Sequence, residues 1–235
     1  MTRTVAVIQA RLGSRRFPDK MLAELGGQAL LEWVVLRVRQ SRSIDRVVVA
    51  TTLETLDDRI VAECRRLGVD VARGSTNDVL SRFIEALQGD DADTVVRICA
   101  DNPFVDAGCI ETVLREHASA RADYSFNHRP SGACDYADGF GVEVVSRPFL
   151  DELNTRDLSA SHREHVTLAI ADGTVLARVH ACIAPTLLAR PELRFDVDEP
   201  ADFHRLQTLV SLAGLHVGSA AAEVVAANDR HGAAF

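Results

Sequence analysis

Four short runs rich in β-branched residues, Val5–Ala10, Ile44–Thr51, Val69–Ala72 and Thr94–Ala100, recur with a helical pattern between successive members. Between the first two, Gln28–Gln40 sets Leu30, Leu31, Val34, Val35 and Val38 on one stripe, with Glu32, Arg37 and Arg39 off it. Thr55–Leu67 repeats the pattern with Ile60, Val61, Cys64 and Leu67, and Gly68 is placed to end that helix. A third helix, which Ser75 or Asn77 can cap, runs to Leu87. Strand, helix, strand, repeated in this way, predicts an α/β architecture: a mostly parallel sheet with helices on both faces.

The first strand runs straight into Arg11-Leu-Gly-Ser-Arg-Arg-Phe-Pro-Asp-Lys20. Pro18 stops any helix there, Gly13 and Ser14 let backbone N–H groups turn toward a ligand, and Arg11, Arg15, Arg16 and Lys20 gather four positive charges. Amides and cations together make a polyphosphate cradle, because every such group donates hydrogen bonds and none accepts. A solvated basic loop has the same composition. Its position favours the cradle, since open α/β sheets bind ligands in the crevice at the C-terminal ends of their strands.

Composition sharpens the reading. A formal net charge of −8 argues against a nucleic-acid partner and makes the cationic loop locally exceptional. No apolar run approaches the roughly 18 residues of a membrane span, and the N-terminus lacks a signal-peptide pattern, so a cytoplasmic protein with no membrane partner is expected. Cys64, Cys99, Cys109, Cys134 and Cys182 are scattered without a C-x-x-C and read as reduced thiols.

After a helix over Ala107–Ser119 the rhythm loosens. Tyr124–Phe126 and Gly141–Val145 read as short strands around a loop, Asn127–Gly139, of a length that is usually functional. Helices are predicted at Leu150–Leu153, His162–Ala171 and Asp198–Val210, and strands at Thr174–Ala181 and Leu193–Val197. The Ala-rich tail, Ser219–Phe235, suggests a helix with a weakly ordered end. Asp101 follows one predicted strand and Asp198 another. A magnesium-type cation wants one or two carboxylates plus phosphate oxygens and water, which this pair would supply. Each also has the look of a helix N-cap. Their joint placement at strand ends favours the metal.

These residues carry a resemblance. In order, Ile8–Lys20, Val49-Ala-Thr-Thr52, Arg73–Arg82, Arg97–Asp106, Arg163-Glu-His-Val-Thr167 and Val197–Phe203 resemble the signature blocks of the cytidylyltransferases of spore-coat polysaccharide synthesis (SpsF type), relatives of the synthetases that activate keto-deoxyoctonate and sialic acids with CMP. The resemblance implies a Rossmann-like nucleotidyltransferase fold over residues 1–215, in which 127–185 form an acceptor and dimer lobe, followed by a C-terminal extension, 216–235. It implies an enzyme using CTP and Mg2+, acting on a small anionic acceptor, and pairing as a homodimer. Arg11, Arg16 and Lys20 would hold the triphosphate, with Ala10, Leu12, Gly13, Ser14 and Ala100 along the nucleotide. Arg73, Gly74, Ser75, Asp78 and Arg82 would form a second loop near base and ribose. Asp101 and Asp198 match the metal-binding aspartates, and with Arg11 and Lys20 they would be the catalytic set. Glu143, Arg163, His165 and Asp196 would face the acceptor.

The family's usual Gly-x-Asp-x-Glu reads Gly139-Phe140-Gly141-Val142-Glu143 here, which implies a smaller, less anionic acceptor pocket unless Asp135 or Asp138 substitutes. Asp196 also stands where an uncharged residue is typical. Arg129, Arg163 or Arg194 can meet an acceptor carboxylate, phosphate or phosphonate equally well. His165 is either a general base or a hydrogen-bonding residue of the lobe or dimer. Asp196-Val197-Asp198 is literally the Asp-x-Asp of nucleotide-sugar-dependent glycosyltransferases, the rival reading, although the first loop suits a triphosphate better than a diphosphate.

Overall fold

A computed structural model describes residues 2–128 and 134–232. In chain order the elements are β1 (Thr4–Gln9), β2 (Glu24–Leu25), β3 (Gln28–Ala29), α1 (Leu30–Val38), β4 (Arg46–Thr52), α2 (Asp58–Leu67), β5 (Asp70–Gly74), α3 (Val79–Ala86), β6 (Thr94–Cys99), α4 (Ala107–Ala120), β7 (Tyr124–Phe126), β8 (Glu143–Ser146), α5 (Arg147–Thr155), α6 (Ala160–Glu164), α7 (Leu168–Ala171), β9 (Val179–Ala181), α8 (Pro200–Ala213) and α9 (Ala221–His231). Seven strands form one sheet in the order β5-β4-β1-β6-β8-β7-β9. β1 pairs in parallel with both β4 and β6, whereas β8 runs antiparallel between β6 and β7. The expected α/β sandwich is what the chain adopts.

Why β1 is central follows from its side chains. Val5, Ala6, Val7 and Ile8 are fully buried, as a strand covered on both faces requires. Alternate residues enter opposite cores. Ala6, Ile8, Val49, Val96 and Ile98 pack with α1, α4, α8 and α9 side chains, while Val5, Val7, Val48, Ala50 and Val95 pack with those of α3 and α5. The C-terminal segment joins the first core through Val224, Val225 and Ala227.

Register is what builds the site. Gln9 lies opposite Ala50 on one side and Cys99 on the other, and the Ala10 and Ala100 amides donate to Ala50 O and Gln9 O at 3.2 Å each. The cationic loop and Asp101 therefore leave the sheet side by side.

Several local predictions need correction. Asp78, not Ser75 or Asn77, caps α3, its carboxylate accepting from the Ser81 amide at 2.9 Å, while Ser75 Oγ accepts from Asp78 N and shapes the preceding turn. The predicted helix His162–Ala171 breaks at His165, whose ψ of 49° ends α6. Leu193–Val197 makes a single bridge, Arg194 to Asp138, rather than a strand, and only Val179–Ala181 of the predicted Thr174–Ala181 strand pairs. Among the described residues no helix is long and apolar enough to cross a membrane, and none of the five cysteines is in a disulfide. Of the predicted tail, residues 233–235 lie outside the described residues, as does Arg129.

Candidate active site

A cleft of about 760 Å3 opens at the C-terminal edge of β1 and β6, lined by Ala10, Arg11, Gly13, Ser14, Arg15, Arg16 and Lys20 from the first loop, by Ala100 and Asp101, by His165 and by Asp198. Lys20 is the buried member of the cationic set, at 7% exposure. Its Nζ donates to Val197 O at 2.6 Å and lies 3.4 Å from an Asp101 carboxylate oxygen. Arg16 forks onto Asp198, both contacts at 3.2 Å. The Val197 amide donates to Asp101 O at 2.9 Å, so the two aspartates are tied through backbone although 97 positions apart in sequence (198 minus 101).

Neither aspartate is a helix cap. Asp106 caps α4, accepting from Cys109 N, and the α8 turn is closed by Asp202, which accepts from the Asp198 and Glu199 amides at 3.0 and 2.8 Å. The two carboxylates are each about one-third exposed, at 35% and 33%, and line one cleft with cations opposite. That donor set fits a hard divalent cation, which takes one or two carboxylates and completes its shell with phosphate oxygens and water.

Other predicted residues stand outside the cleft wall, each for a reason in its packing. Leu12 is buried, and its amide donates to Asp57 Oδ1 at 2.8 Å; Asp57 also accepts from Thr52, clamping the first loop to the end of β4. The Ser14 amide is spent on Leu12 O at 2.8 Å and is not turned outward, although Ser14 itself borders the cleft. Arg73 donates to Thr52 O, Glu54 O and Asp58, locking the loop after β4. A Cβ on Gly74 would sit 2.1 Å from the Glu85 carboxylate, so glycine there lets α3 approach β5. Ser75 and Asp78 are used in the α3 cap. Arg163 pairs with Asp78 at 2.6 Å and with Asn154 at 2.9 Å, joining α6 to α3.

Arg82 is the unusual one. Its guanidinium is buried, and none of its three nitrogens has a hydrogen-bond partner among the described residues. Burial, and then the charge of Arg11, hold its pKa below the usual arginine range. The charges of Asp57, Asp78 and Glu85 oppose that shift, so the cation is balanced by carboxylates at a distance rather than by hydrogen bonds.

On the acceptor side, Glu143 is buried against Arg97 at 2.7 Å and against Thr167. Burial works against its charged form, but Arg97 outweighs this and keeps the carboxyl below the ordinary range. It therefore supports the floor of the sheet. Asp196 is nearly buried and pairs with Arg194 at 2.6 Å. Of the literal Asp-x-Asp, then, only Asp198 reaches the cleft, which removes the feature that favoured a glycosyltransferase. The space that a side chain at Gly141 would need is taken by the His128 ring, 2.8 Å from the ideal Cβ position. Burial, followed by the charge of Asp196, raises Asp138.

Gln9, Met21, Thr76, Asn77 and Cys99 also line the cleft and carry no ligand role in the sequence reading, and Glu164, from the Arg163-Glu164-His165 block expected near the acceptor or a subunit interface, lines it too. A signal existed for Gln9, the only polar side chain closing an otherwise apolar run. Burial raises the Cys99 thiol to about 11, so it is no nucleophile.

The chain is also similar to known proteins in sequence and in fold. Residues 5–171 match the family model described as Cytidylyltransferase. The chain is 33% identical over 230 residues to the spore coat polysaccharide biosynthesis protein SpsF of Bacillus subtilis, spanning 96% of this chain and 93% of that protein. It is 32% identical over 187 residues to a 3-deoxy-manno-octulosonate cytidylyltransferase of Anaeromyxobacter dehalogenans, spanning 78% and 73%. A solved cytidylyltransferase structure from Leptospira borgpetersenii superimposes with a TM-score of 0.88 at 24% identity, over 99% of this chain and 96% of that one.

Proposed function

This chain belongs to the cytidylyltransferase family, and on that premise we propose that its cleft transfers CMP from CTP to a sugar acid, with release of pyrophosphate. The acceptor class rests on the activity named for the Anaeromyxobacter relative. The observation that carries the reading is the meeting of Arg16 and Lys20 with Asp198 and Asp101 across one cleft.

The reaction is in-line attack of an acceptor oxygen on the α-phosphorus, and it asks the protein chiefly for positioning and charge neutralisation. In the free chain the cations and carboxylates neutralise one another. A bound triphosphate competes for the cations: Arg16 and Lys20 turn to phosphate oxygens, Arg11 and Arg15 flank them, and the aspartates are released. Mg2+, held by Asp101 and Asp198, supplies further charge neutralisation when bound. The Val197 O contact keeps the Lys20 ammonium at the cleft while its Asp101 contact is exchanged for a phosphate oxygen. His165 and Arg194 border the acceptor side; Arg194 lies 3.9 Å from Asp198, more than half exposed, where an acceptor carboxylate can reach it. The working enzyme is a homodimer joined at its β9 edge.

The test is pyrophosphate release with the four nucleoside triphosphates crossed against keto-sugar acids, sugar phosphates and small phosphonates. Turnover is expected with CTP and a keto-sugar acid. Asp198→Ala is expected to lower turnover by about 10²–10³-fold with the fold retained. Near-normal turnover in that variant rules out its metal role, and turnover only with phosphates or phosphonates replaces the acceptor class.

A further inference from the structure

Glu116, His180 and Cys182 converge outside the cleft, at the β9 margin of the sheet. Their ligand atoms all lie within 4.8 Å of one another. His180 and Cys182 are two apart in extended chain, so their side chains share a face. The Cys182 amide continues the β9 ladder, donating to Phe126 O at 2.8 Å. Glu116 comes from α4, and its Oε2 is 2.9 Å from His180 Nε2. We propose that these three side chains form a binding site for a borderline-soft divalent cation of the zinc type, distinct from the hard-cation pair in the cleft.

The donor chemistry selects the ion. One imidazole, one thiolate and one carboxylate suit zinc or cobalt, whereas magnesium takes oxygen alone. Around a four-coordinate zinc such atoms stand about 3.3 to 3.6 Å apart, so the His–Glu contact at 2.9 Å opens by well under 1 Å while the contacts to the thiol, within 4.8 Å, close to match. Access is built in. Cys182 is fully buried and makes the floor, while His180 and Glu116 are about one-third exposed and make the mouth, leaving a fourth position for water or an outside ligand.

Without a cation the three are a hydrogen-bonded cluster, with the Cys182 thiol raised to about 12 by burial and by Glu116. Binding sends the thiol proton to solvent, and the ion's charge replaces it. Arg115 bears on the same carboxylate and opposes the ion electrostatically. The bound ion would pin the edge strand β9 to α4.

The experiment uses the full chain, stripped with a chelator and titrated with Co2+ in excess Mg2+, which occupies an oxygen-only site. One equivalent is expected, with a sulfur-to-cobalt charge-transfer band that Zn2+ bleaches. Cys182→Ser should lose the band, and Glu116→Gln or His180→Gln should weaken binding at least about tenfold. Zn2+ should raise the Tm of the native chain and not that of Cys182→Ser. Absence of the band, or its survival in Cys182→Ser, overturns the proposal. Should Cys182→Ser fail to fold, unchanged Co2+ affinity in His180→Gln overturns it equally.

Discussion

Gly139 shows how one backbone position holds the cleft together. Its φ of +101° lies where side chains are strained, and a Cβ there would come within 2.5 Å of the Phe195 carbonyl carbon and 2.8 Å of the Asp196 amide. Phe195 packs on Phe140 and Phe104, and two residues later Val197 anchors both Lys20 and Asp101. Gly139→Ala is therefore expected to cost about 2–4 kcal/mol, from strain plus overpacking, and to lower turnover by displacing Asp198. Urea denaturation beside a pyrophosphate assay checks this, and unchanged values in both would refute it. Arg82→Met makes the opposite demand. Removing a buried cation whose nitrogens have no hydrogen-bond partner among the described residues should change the stability of the free chain by less than about 1 kcal/mol in urea denaturation, because the desolvation relieved offsets the lost attraction of Asp57, Asp78 and Glu85; a loss of several kcal/mol would show that those carboxylates hold it. Residues of this kind divide by what sets their partners. Lys20 and Asp101 were legible because β1 and β6 run parallel and end side by side, whereas Asp198 was read from a strand that does not form and reaches the cleft through the Val197 amide on Asp101 O. Arg163 and Glu143 were not, because Asp78 and Arg97 claim them only once α3, α6 and the sheet have packed.

Elements were legible in the measure that their pattern is periodic. From β1 to α4 every predicted helix and strand exists, since each has a buried apolar stripe and a local stop such as Gly68, whose φ is 58°. Beyond β7 the boundaries drift, because short elements there take their form from neighbours: α6 ends at His165 so that Val166 can enter the core. The contact of α4 with β7 carries a pH dependence. His117, buried on α4, has Nδ1 2.9 Å from Ser125 Oγ. Burial holds its pKa below 6.5, against the opposing charge of Asp123 and with the support of His180. The folded state then binds fewer protons than the unfolded one, so stability rises with pH through this window. It is fully present above the unfolded value of about 6.5 and is lost as the pH falls through the lower folded value. His117→Gln should flatten that part of the stability profile, measured as urea midpoints between about pH 7 and 5. An undiminished slope in the variant would place the titration elsewhere.

At the scale of the whole molecule, the two margins of the sheet differ in a way that predicts assembly. Among the described residues both ends present unpaired backbone, a template for another chain unless it is blunted. At the β5 margin charge does the blunting, through Asp70 paired with Arg46 and Arg73 paired with Asp58. At the β9 margin the chain instead exposes Leu176 at 89%, Val179 at 49%, Ile183 at 77% and Leu187 at 70%. Four large apolar side chains beside a free strand edge are what a second copy would cover, and the net charge of −8 alone does not keep such a face solvated. We therefore predict a homodimer paired about this edge, with each apolar patch meeting its own equivalent as a twofold interface requires. Light scattering behind size exclusion should give twice the 25.6 kDa chain mass for the native protein. Ile183→Glu with Leu187→Glu should shift it to one chain mass while the far-ultraviolet circular dichroism is kept, since neither side chain enters a core. A native monomer at tens of micromolar, or a dimer indifferent to both charges, would move the interface away from β9.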